Sequence, residues 1–232
     1  MTNQNISGRR SDEIITCTWD IKADCINCKL DNDLDCKWNI KHLIRFYKIG
    51  IPFFIPAALG MILAGLWARN WTGLIIYVEF WIVFFEFFET RVLCRHCPFY
   101  AENGKILHCL ANHGLLNVWR YTPGPMNKGE KIGLLIGFIL FFSIPVLTIV
   151  NGTVILIEAG EENLGILILG VLAILTIGGV LFAGRNLTLK VCTRCVNFSC
   201  PLNRVSKHIV DSYLLKNPVM RKAWEETGYR LD

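Results

Sequence analysis

Three stretches of this chain carry no charged residue for nineteen or twenty positions: Ile49 to Ala68, Ile132 to Val150 and Leu164 to Ala183. A hydrocarbon layer roughly 30 Å thick takes about 20 helical residues to cross, so each stretch is long enough to span it. A fourth candidate, Trp71 to Leu93, is long enough as well but is interrupted by Glu79, Glu86, Glu89 and Arg91. With 53% of 232 residues hydrophobic and only 19% charged, little is left over for a soluble core.

The flanks carry a strong charge bias. Lys and Arg number eight in residues 1–48, six in 91–131 and nine in 185–232, whereas the opposite side holds Arg69 alone. By the positive-inside rule, both termini and the middle loop are cytosolic, in a cell-membrane protein that crosses the bilayer several times. The net charge of +5 reflects this bias, not a nucleic-acid footprint. Since the first forty residues contain no short apolar run ending in a small-residue cleavage site, the first span is expected to act as the targeting signal.

The expectation is therefore an all-α polytopic membrane protein: a four-transmembrane-helix bundle with a small Cys/His metal-stapled cytosolic cap. Its parts are an N-terminal segment at 1–42, a helical hairpin at 43–93, a cytosolic loop at 94–131, a second hairpin at 132–189 and a tail at 190–232. Residues 1–12 read as a polar, mobile lead-in. In the tail, "NPVMRKAWEETGY" predicts a helix with Asn217 as N-cap, Pro218 at its first position and Gly228 as its stop.

All ten cysteines fall in the three cytosolic segments, where a reducing compartment disfavours disulfides and favours metal binding or redox chemistry. A repeated order is visible. Cys25 and Cys28 are followed by Cys36 and His42; Cys94 and Cys97 by Cys109 and His113; Cys192 and Cys195 by Cys200 and His208. Two cysteines separated by two residues present both sulfurs to one ion, and a third thiolate with an imidazole completes a tetrahedron. A second solution adds Cys17 to Cys25, Cys28 and Cys36, frees His42, and leaves His113 and His208 to complete the other two sites. His108 competes with His113, His96 inside its CxxC is the poorest candidate, and ligands shared between loops are a further arrangement. Zinc is the first choice of metal. Iron–sulfur clusters are the alternative, hinted at by Cys97-Pro98 and Cys200-Pro201. Cytosolic segments of about 40 residues build too small a core to stand without such staples.

The acidic positions of the second span form the other candidate site. Glu79 and Glu86 are seven residues apart and share a helix face, with Glu89 one turn on. Carboxylates inside a membrane are expected to face the bundle interior. Glu79 would find the hydroxyls of Ser143, Thr148 or Thr176 there, and Glu89 would pair with Arg45, Lys48 or Arg91. Small residues at Gly133 and Gly137, and at Gly60 and Ala64, predict close helix contacts.

These features support three functions. The first is a membrane-anchored interaction or regulatory module that binds structural zinc and recruits a cytosolic protein partner. The second is an iron–sulfur electron-transfer protein. The third is a small proton- or cation-coupled transporter working through the glutamates, with a homodimer as its natural form. No phosphate-cradling loop, HExxH or GxSxG occurs, and no histidine lies within a span to hold a haem. A fully Cys/His-liganded ion leaves no open position for catalysis.

Overall fold

A computed structural model describes residues 16–20, 23, 25, 28–102, 104–160 and 163–232. The polar lead-in at 1–12 and Glu161 and Glu162 lie outside them. Among the described residues the chain is helical without strands. An isolated bridge between Ile106 and Leu116 pins the middle loop.

Three helices are long and apolar enough to cross a membrane. Helix α1 runs Ile40–Trp67, opened by Asn39, whose side chain accepts from the Lys41 amide at 2.9 Å. Helix α4 runs Lys128–Glu158 behind a capping box, in which the Asn127 side chain and that of Glu130 each bond the other's backbone amide. Each cap satisfies amides that a helix start leaves without partners. Helix α5 runs Asn163–Asn186 and continues through a π-helical turn, Leu187–Val191.

The interrupted stretch is helical throughout but not uniformly α. Helix α2, Thr72–Ile82, passes into a π-helical segment, Val83–Glu89, and then a single turn, α3, Thr90–Val92. Glutamates placed on one face by α-helical spacing are turned apart by this change of winding. Both π segments end just before a CxxC: one leads to Cys94, the other to Cys192.

Helix α1 packs most extensively on α5, then on α4, while α2 lies chiefly along α4. Close contact comes from the small residues. Gly60 faces Ile149, Ala64 meets Gly152, Gly133 meets Phe88, and Gly137 accommodates Phe84. The tightest approach has a backbone cause. Pro56 has no amide hydrogen, so the Pro52 carbonyl has no donor four residues on. Gly179 of α5 covers that carbonyl so closely that any Cβ there would strike it. An uncovered carbonyl facing lipid would be costly.

Outward-facing residues such as Ile139, Leu147, Ile174 and Leu181 remain exposed on the helices, whereas the end that gathers the cysteine-bearing segments has its own core. That core joins all three segments: Leu30 and Leu34, then Phe99 and Leu110, then Val196, Val210, Tyr213, Leu214, Met220 and Trp224. Helices α6, Lys207–Leu215, and α7, Pro218–Glu225, supply its tail portion. Gly228 takes φ +90 and stops α7, as its residue type predicts.

Asn217 departs from its expected role. Its side chain caps nothing. Instead Oδ1 accepts from the Cys17 amide at 2.8 Å, and Nδ2 donates to Cys17 Sγ at 3.3 Å and to the Tyr213 carbonyl at 2.8 Å. It is 3% exposed, and partners that far inside the cap outweigh a local capping bond.

Candidate metal centres in the cap

All ten cysteines are free thiols, and every one is buried or half-buried. The structure sorts them into two neighbourhoods. Cys36 lies within electrostatic reach of Cys17, Cys25 and Cys28, the other three cysteines of the N-terminal segment. Burial, with those neighbouring thiols adding to it, pushes the Cys36 thiol up to about 12.

The other six do not divide by segment. Cys94 is in reach of Cys109 and Cys200, Cys97 of Cys109 and Cys195, and Cys195 of Cys200, Cys109 and Cys192. Middle loop and tail thus share one six-cysteine basin. The join is fixed by Asn197, whose amide donates to the Leu93 carbonyl at 3.2 Å, one residue before Cys94. A ligand set shared between loops was one of the arrangements open from sequence.

Burial pushes the thiols of Cys94 and Cys97 well up and raises those of Cys109, Cys192 and Cys195, while that of Cys200 rises to about 11. The neighbouring backbone opposes this in part: the peptide groups of Phe99, Ala111, Asn197 and Leu202, each two residues past a cysteine, hold the rise down at Cys97, Cys109, Cys195 and Cys200. Asn112 Nδ2 adds a bond to Cys94 Sγ at 3.2 Å. Amides aimed at sulfur favour the thiolate, which is the form a cation needs. Even so, among the described residues no three His, Cys, Asp or Glu side chains converge in an arrangement that could hold an ion. The thiols are neighbours without being at ligand geometry.

The histidines take other places. His42 Nδ1 lies 3.7 Å from Asp35, a buried carboxylate also held by Arg45 and by Arg194, at 3.1 and 3.0 Å. That cluster ties the N-terminal segment and α1 to the tail. His208 is exposed on α6, and among the described residues none of its hydrogen bonds or ion pairs reaches a cysteine. His113 stacks on Trp38 with ring centroids 5.2 Å apart, its Nδ1 buried without a hydrogen bond. His108 beside it is held through Nδ1 by Glu102 at 2.7 Å. His96 is a structural clamp: Nδ1 meets the Gly124 carbonyl at 2.6 Å, and burial lowers its pKa.

The three glutamates also part company. Glu79 is exposed on the outer surface of α2, Glu86 is half-buried, and Glu89 is buried at 4% exposure. Of the hydroxyls proposed for Glu79, Thr148 and Thr176 are used within their own helices, on Ile144 and Leu172. Of the bases proposed for Glu89, Arg45 is engaged by Asp35 and Arg91 lies over the Trp119 ring at 5.5 Å. Sequence reading missed that Glu89 lies within electrostatic reach of the thiols of Cys94, Cys109 and Cys200. The π segment that turns it there carries no signal in residue spacing. No family model, curated protein or solved structure matches this chain.

Proposed function

We propose that this chain is a four-span membrane protein whose cytosolic cap binds structural zinc and serves as an anchored interaction or regulatory module. One observation supports the reading: ten free thiols from three chain segments are all buried or half-buried, and the side-chain amides of Asn112 and Asn217 donate to the sulfurs of Cys94 and Cys17. Buried free cysteines of a plain core have no reason to attract donors to sulfur. Cys17, Cys25, Cys28 and Cys36 fit one tetrahedral ion, and Cys94, Cys97, Cys109, Cys192, Cys195 and Cys200 supply enough donors for two more if thiolates are shared. The metal would stiffen a cap with few regular elements, presenting α6 and α7 as a fixed surface to a cytosolic protein. Helix α2 with its π segment is the fourth span, which places both termini in the cytosol with the basic flanks.

A second reading assigns iron–sulfur clusters and electron transfer. It draws on the same basin, since each neighbourhood contains the four cysteines a cluster takes, and the larger lies where α3 and α5 leave the membrane. Metal analysis of anaerobically purified protein separates the two. About three zinc per chain without colour supports the structural cap; iron with acid-labile sulfide and a broad visible band moves the assignment to electron transfer. Absence of both overturns metal binding.

A further inference from the structure

The middle loop folds back on itself at residues 105–117. The Leu107 amide donates to the Leu115 carbonyl at 2.9 Å and the Asn117 amide to the Lys105 carbonyl at 2.8 Å, on either side of the antiparallel bridge between Ile106 and Leu116. Residues opposite one another in such a bridge show their side chains on one face, as does the position two further along. That face holds Ile106, Leu116 and Val118, exposed at 50%, 56% and 60%. The alternation runs against the usual order, since the apolar side chains face out while Asn117 between them is half-buried. A single exposed aliphatic is ordinary; three together on one small loop mark a surface that is covered in use.

The neighbouring residue identifies the cover. Trp119 donates its indole N–H to the Thr90 hydroxyl at 3.1 Å, and its ring carries the Arg91 guanidinium 5.5 Å from the centroid. Thr90 and Arg91 belong to α3, the last turn of the fourth candidate span, and Phe87 and Phe88 just before it are exposed. Tryptophan is enriched where a membrane meets water. The apolar face is thus tied to the level at which that span leaves the bilayer. Charge agrees with this placement. No Asp or Glu lies between Glu102 and Glu130, and the exposed bases Lys105 and Arg120 flank the apolar face. Juxtamembrane bases with no acid among them complement an anionic lipid surface.

We propose that the loop dips into the membrane, with Ile106, Leu116 and Val118 in the boundary between headgroups and acyl chains and Lys105 and Arg120 on anionic lipid phosphates. The proposal rests on the reading of α2 as a fourth span with the cap on the cytosolic side. It gives the cap an attachment to the bilayer besides its helices. Because the Trp119 amide donates to the hydroxyl of buried Tyr100 at 2.9 Å, seating of the loop is passed to the cap interior.

The test places the photoreactive residue p-benzoylphenylalanine at Leu116 or Val118 of the full-length protein, both exposed positions where folding does not depend on the side chain. Each protein is reconstituted in vesicles of phosphatidylcholine, alone or with phosphatidylglycerol, irradiated and read by mass spectrometry. A third protein carries the probe at Ile82, exposed in the middle of the fourth span. All three should form phospholipid adducts, and at Leu116 and Val118 the yield should rise severalfold with phosphatidylglycerol. Lipid adducts at Ile82 but none at Leu116 or Val118, or cross-links there only to a second copy of the chain, overturn the dipping loop and leave the span in place. Equal yields in the two vesicles overturn the part given to Lys105 and Arg120. No lipid adduct at Ile82 overturns the fourth span on which the proposal stands.

Discussion

The Asn217 side-chain amide lies 3.3 Å from Cys17 Sγ, a contact between positions 200 residues apart in the chain. The same side chain accepts the Cys17 amide, so one buried residue holds both the backbone and the sulfur of the first cysteine. Replacing it with alanine strands the Cys17 amide and should cost about 1–3 kcal/mol. Asn217→Asp keeps the acceptor and loses the donors, so it should recover part of that. Thermal unfolding of the cap, followed by Trp fluorescence, reads both; equal loss in the two variants would contradict the role given to Oδ1.

Metal removal should act on the cap and spare the bundle. A strong chelator should release the ions and unfold α6 and α7 while the long helices persist. Structural zinc supports small folds by roughly 10 kcal/mol or more. The helical signal by circular dichroism should fall modestly, and protease should now cut the tail. A cap that stays resistant after complete metal loss would show that its apolar core suffices.

The helix bundle has a sharply defined weak point at Gly179. Its contact is backbone, the Pro52 carbonyl, which cannot rotate away. Gly179→Val should destabilise by about 1–3 kcal/mol or more through overpacking. The neighbour Gly178 has open space at the same position, and Gly178→Val should be tolerated. Detergent melting temperatures of the pair decide the point, and equal behaviour would refute the close approach.

Asp35 is 4% exposed and joins three segments through Arg45, Arg194 and His42. Both arginines are more than a third exposed, which screens them, so Asp35→Ala should cost about 2 kcal/mol, below the range for a fully buried pair. Arg221→Ala, in an exposed pair with Glu225, should cost at most about 0.5 kcal/mol. Denaturant midpoints of the two variants compare them directly.

The tail closes on Asp211, which accepts from Tyr229 and Lys207 at 2.7 and 2.8 Å. Burial alone would raise its carboxyl, but those hydrogen bonds hold it below its usual value. A lowered carboxyl contributes stability that is present at neutral pH and is lost as pH falls below about 4 through the folded value. Tyr229 behaves oppositely. Burial and then Asp211 raise it to about 12, so its contribution is present below about 10 and is lost as pH rises from there towards 12. Asp211→Asn should flatten both limbs of the stability–pH curve, and an unchanged curve would exclude this network as their origin.

Much of the membrane part was legible, because charge-free runs report length and polarity directly and those are what a bilayer selects. The small-residue contacts at Gly60 and Gly137 were legible for the same reason: a missing side chain is visible in the sequence. That the cysteines of the N-terminal segment lie near one another was readable from their spacing. The six-cysteine basin was one of several open arrangements, since spacing ranks neighbours along the chain whereas Asn197 brings Cys195 and Cys200 to Cys94 across about a hundred residues. Glu89 was misjudged because helical periodicity assumes constant winding, and seven π-helical residues change it. Asn217 kept its cap-like position, but tertiary partners took its side chain.

The clasp between Cys17 and Asn217 sets an order of events during synthesis. The first of its partners leaves the ribosome early, and the second emerges only after every hydrophobic helix has been delivered to the translocation machinery. Until then the N-terminal thiols wait without their closing amide. The cap therefore closes over its first cysteine only once the helices between residues 17 and 217 have been made.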